Sequence, residues 1–99
     1  MNDYKDIVAR LNREFPFVPH TDAGRLSSTV RRMKAEKEIG LPIEYRVAWA
    51  GSGKLGKWAN KMTEDEWNEF YAHVQKELER KYPEMYSRIF PPKARGGTR

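Results

Sequence analysis

The chain has 99 residues, no cysteine, and 19 basic against 14 acidic side chains, for a formal net charge of +5. That length suits one domain and is too short for a doubly wound sheet or a (β/α)8 barrel. Disulfides, thiolate metal sites and thiol chemistry are excluded. With no long apolar run and no basic-then-apolar leader, a cytoplasmic protein without a membrane span is expected.

Spacing predicts a first helix over about residues 3–14. Tyr4, Ile7, Val8, Leu11 and Phe15 recur at helical intervals and make one apolar stripe, with Asn2 or Asp3 as cap. Pro16 ends it, because a residue before proline is pushed out of the α region. Phe15, Phe17 and Val18 then form an apolar connector.

A second helix is expected from Thr21 or Ser28 to about Glu38. Ala23, Leu26, Val30 and Met33 share one face, and Arg25, Arg31, Arg32, Lys34 and Lys37 occupy the others. Gly24 costs about 1 kcal/mol relative to alanine inside a helix, which favours a start at Ser27 or Ser28. Gly40 suits the left-handed position after the helix, and Pro42 forbids its continuation.

From Ile43 the apolar period becomes two. Ile43, Tyr45, Val47 and Trp49 would share one side of a strand, opposite Glu44, Arg46 and Ala48. Gly51-Ser52-Gly53 signals a turn, and residues 54–61 return with Leu55 and Trp58. Trp49 and Trp58 then become cross-strand core partners; exposed, they would instead stack bases or anchor a protein partner. Two strands alone are marginal in water, so this hairpin must lie on the helices.

The third helix has the clearest start. Thr63 and Glu66 fit a capping box, Met62 and Trp67 a hydrophobic staple, and Trp67, Phe70, Tyr71, Val74 and Leu78 a buried stripe. Pro83 opens a shorter helix bearing Met85, Tyr86, Ile89 and Phe90. Residues 91–99 read as a flexible basic tail. The expected architecture is a small α+β domain over residues 1–90, with three main helices, a short C-terminal helix and a β-hairpin.

Charge is unevenly distributed. Residues 21–62 carry nine basic and four acidic side chains, residues 63–90 four basic and seven acidic, and residues 91–99 three basic and none acidic. A basic second helix, hairpin and tail could meet several phosphates, each displaced counterion adding affinity and salt dependence. A merely solvated helix face would account for the charge as well.

The order of a basic helix opening Leu26-Ser27-Ser28-Thr29-Val30-Arg31-Arg32-Met33, then Gly40-Leu41 and a basic hairpin, resembles the end of a winged-helix domain. The resemblance covers about residues 20–60. It implies that the helix enters the major groove through Ser28, Thr29, Arg31, Arg32 and Lys34, while Arg46, Lys54 and Lys57 touch phosphate. Gly56-Lys57-Trp58 followed by an amphipathic helix is also similar to the sheet-and-helix DNA-binding domains that carry three strands.

Other motifs have simpler explanations. Gly51-Ser52-Gly53-Lys54-Leu55-Gly56-Lys57 has phosphate-loop spacing, yet Trp58 stands where Ser or Thr would ligate magnesium. His73 has Glu69 and Glu77 four residues to either side, which offers a metal one nitrogen only and suits a surface ion pair better. Ser27, Ser28 and Thr29 have no base set beside them by local sequence. No catalytic site, metal or cofactor is expected.

The function expected from these features is non-catalytic nucleic-acid binding, with duplex DNA preferred. The contact residues would be Arg25, Ser28, Thr29, Arg31, Arg32, Lys34, Lys37, Arg46, Lys54 and Lys57. The alternative is a small inhibitor or adaptor, of the kind phages and mobile elements carry, docking on an acidic surface of a host protein such as a nucleic-acid-processing enzyme. Monomer and homodimer are both compatible with the sequence.

Overall fold

Several helix boundaries have a local chemical cause. The computed structural model describes residues 4–48, 57–58 and 62–91. Among them are four α-helices: α1 (Tyr4–Glu14), α2 (Asp22–Glu38), α3 (Glu64–Lys81) and α4 (Pro83–Ile89). The caps expected at Asn2 or Asp3 lie outside the described residues.

The start of α2 is Thr21, whose hydroxyl accepts from the Gly24 amide at 2.9 Å. Gly24 sits in the first turn for a steric reason. A Cβ there would meet Thr21 Oγ1 and Val18 Cγ1 at 2.9 Å and the Val18 carbonyl at 3.1 Å. The connector before α2 therefore lies against the helix, and Ser28 holds it by accepting from the Val18 amide at 3.1 Å. Ser28 thus acts inside the helix, well after its start.

The end of α2 is a Schellman motif. Gly40 has φ +69°, its amide bonds the Lys37 carbonyl, and the Leu41 amide bonds the Glu36 carbonyl, both at 3.1 Å. Leu41 is buried beneath this turn. At α3, Thr63 and Glu66 close the capping box in both directions, at 3.1 and 2.9 Å. Pro83 stands in the first turn of α4, where its missing N–H costs nothing.

The core lies between α2, α3 and α4. Leu26, Val30 and Met33 of α2 meet Trp67, Phe70, Tyr71, Val74 and Leu78 of α3 and Ile89 of α4, with Met62, Met85, Tyr86 and Phe90 packed around them. Helix α1 contributes less. Leu11 is its one buried residue, and Tyr4 stacks on Tyr45 with ring centroids 5.0 Å apart.

Among the described residues the expected α+β architecture is not formed: the fold they make is helical. Extended pairing among the described residues consists of Val47 opposite Trp58 and Ala48 opposite Lys57, which is too little for a sheet layer, a hairpin packed on the helices or a wing. The start of the expected strand is a 3₁₀ turn at Ile43–Tyr45, with Tyr45 donating to the Pro42 carbonyl at 2.9 Å and Arg46 to that of Ile43 at 3.1 Å. In a 3₁₀ turn positions i and i+3 eclipse, so Ile43 and Arg46 both turn inward, whereas a strand would have put them on opposite faces. The winged-helix and three-stranded readings fall with the hairpin. Trp49, the 51–56 loop and the 92–99 part of the tail lie outside the described residues.

Candidate functional site

Helix α2 carries most of the basic residues singled out by sequence, and the fold divides them into two groups. Arg32 and Glu36, one turn apart, are both 0 % exposed and paired at 2.8 Å. Arg32 also donates through Nη1 to Asn12 of α1 at 2.9 Å, which ties α1 to α2. Thr29 is equally buried and Ser28 nearly so. None of these can face a nucleic-acid groove, because all four side chains are buried.

Arg46 is a further correction. It was expected on phosphate, but its guanidinium lies 4.3 Å over the Trp67 ring and its Nε donates to the Leu41 carbonyl at 2.7 Å. Stacked and hydrogen-bonded in this way, it pins the 3₁₀ turn onto α3. Lys54 lies outside the described residues, and only the backbone of Lys57 is described.

The remaining residues stay accessible. Arg25 pairs with Asp22 at 2.6 Å and Lys34 with Glu38 at 2.9 Å. Lys37 donates to Asn68 of α3 at 3.1 Å and approaches the Tyr71 ring. Arg31 is exposed and makes no hydrogen bond or ion pair with another described residue. The same holds for Arg88, exposed on α4.

Arg31 and Arg88 line one groove between α2 and α4. It has a volume of about 200 Å³, a floor of Phe15, Ala35 and Ile89, and Lys34 and Glu38 along the α2 side. Of its lining residues, only Arg31 and Lys34 were among the contact residues expected from the sequence; Phe15, Ala35, Glu38, Arg88 and Ile89 were not. Arg88 stands in a segment whose net charge is negative, and Phe15 reads as part of a connector. The arginine in the last turn of a short helix, just before the basic tail, was the available signal.

Several titratable groups elsewhere have partners within the fold or are buried in it. The Asp22 carboxyl is held below the usual aspartate range by the Tyr82 hydroxyl that donates to it at 3.0 Å, with Lys81 and Arg25 adding to the effect against a burial penalty. The same bond raises Tyr82. Burial pushes the Tyr71 phenol up to about 12, assisted by Glu38 and Tyr86, so it stays protonated at neutral pH. The Arg80 guanidinium beside Glu77 lowers that carboxyl. Both histidines are exposed, and no described helix is long and apolar enough to cross a membrane.

The chain matches no protein-family model, no curated protein and no solved structure.

Proposed function

We propose that this chain is a non-catalytic nucleic-acid-binding protein whose contact surface is the α2–α4 groove, with Arg31 and Arg88 as its principal phosphate contacts. The observation that carries this reading is the convergence on one recess of two exposed arginines from different helices, neither held by a described side chain. An arginine that no described side chain holds can offer a planar fork of donors to a phosphate without first breaking a pair among the described residues. Lys34 and Lys37 add charge along the same helix, and the three basic residues of the 91–99 segment follow α4 directly.

The test is fluorescence anisotropy of a labelled duplex at low salt. Wild-type protein is expected to bind in the micromolar range typical of phosphate-led contacts. Arg31→Ala with Arg88→Ala weakens binding at least tenfold, while Lys76→Ala on α3 leaves it unchanged. Equal binding by the double variant removes the groove from the contact surface.

A second reading, a small inhibitor or adaptor for a host protein, is favoured by a different observation. Arg25 and Lys34 are already matched by Asp22 and Glu38, which leaves fewer free charges than a long phosphate tract would use. A protein surface of mixed polarity suits such a face. Absence of binding to duplex and single strand alike at low salt would shift the assignment to this reading.

A further inference from the structure

The groove is not a uniformly basic patch. Arg31 and Arg88 stand on its two helices, yet its floor is Phe15, Ala35 and Ile89, and Glu38 sits one turn beyond Lys34 on the α2 side. A surface that bound only phosphates would have no use for an aromatic floor, and the Glu38 carboxylate opposes a second phosphate beside the first. The volume of about 200 Å³ is also below the roughly 300–1,000 Å³ of pockets that enclose a whole ligand, so the groove suits one unit of a longer one.

Resting on the nucleic-acid reading above, we infer that the α2–α4 groove seats a single unpaired nucleotide, its phosphate held by Arg31 and Arg88 and its base laid against Phe15. In a duplex the base faces are stacked inside and the outside presents sugar and phosphate, so the apolar floor would meet nothing complementary. An unpaired base brings a π-face to the phenyl ring, and every base has one, so the contact tolerates sequence. The Glu38 carboxylate at the rim offers an acceptor to an exocyclic amino group. The ligand class is therefore single-stranded nucleic acid, or the unpaired end of a duplex.

The experiment compares three labelled oligonucleotides of equal length by anisotropy at low salt: a single strand, the same strand in a duplex, and the same backbone carrying abasic sites throughout. The single strand is expected to bind about tenfold more tightly than the abasic strand, within the range that one or a few stacked bases contribute. Phe15→Leu keeps an apolar side chain on the floor and abolishes that preference. Arg88→Ala, at an exposed position, weakens the single and abasic strands alike. Equal affinity of wild-type protein for the single and abasic strands overturns the nucleotide seat while leaving phosphate binding in place. No binding of any of the three overturns the nucleic-acid reading as well, and leaves a protein partner as the occupant of the groove.

Discussion

Neighbouring arginines on α2 have opposite roles. Arg31 is exposed, while Arg32 is buried against Glu36 and Asn12. Removing one member of a buried ion pair leaves the other charge desolvated and unmatched, so Glu36→Ala is expected to destabilise the fold by about 3–5 kcal/mol. Arg31→Ala alters solvated surface and should stay within about 0.5 kcal/mol. Urea unfolding of the two variants measures both; equal stabilities would contradict the division. Sequence could not separate these arginines, because an Arg and a Glu four apart on a helix read as a solvated pair. What was missing was the position of α1, whose Asn12 closes the pair over from another part of the chain. The burial of Thr29 and of Ser28, whose hydroxyl accepts from the Val18 amide of the incoming connector, was equally a long-range outcome.

Helix termini, by contrast, were readable because their chemistry is local. The Thr63–Glu66 box, Gly40 after α2 and Pro83 opening α4 are each decided within a few residues, and each forms where spacing predicted. The α3 stripe from Trp67 to Leu78 is buried in full for the same reason. The expected strand from Ile43 failed because alternation over so short a run is also compatible with a 3₁₀ turn, and Pro42 together with the stacking of Arg46 on Trp67 selected the turn. Gly24 misled the placement of the α2 start, since its purpose is close approach to Val18. One inter-element link has a pH signature. Asp22 at the start of α2 accepts from Tyr82 and Lys81 at the end of α3, at 3.0 and 3.3 Å. Because the folded Asp22 carboxyl titrates below its unfolded value of about 4, its contribution is present above that value and is lost as pH falls through the folded one. Tyr82 is raised, so its contribution holds below about 10 and is lost as pH rises further. The stability difference between wild type and Asp22→Asn should therefore be constant from about pH 5 to 9 and shrink on either side. A difference that stayed constant in acid would show that the link carries no stability.

At the scale of the whole molecule, charge counting along the chain was a poor guide to the charged surface. The basic excess of residues 21–62 includes Arg32 and Arg46, which the fold consumes, and Arg25 and Lys34, which α2 matches with its own carboxylates. The acidic excess of residues 63–90 concealed Arg88, which completes the groove with Arg31. Half of the candidate site was thus legible as a basic helix face. The other half depended on how α4 and the end of α1 fold back beside it, which is a long-range packing outcome. The α2–α4 groove is proposed to engage phosphate through Arg31 and Arg88, neither of which is held by a described side chain. The most direct measurement is the salt dependence of binding to a labelled oligonucleotide, taken from low to near-physiological salt with wild-type protein and with the Arg31→Ala, Arg88→Ala double variant. If each arginine displaces one counterion, the slope of log K against log salt falls in magnitude by about 2 in the double variant. An unchanged slope would contradict the claim.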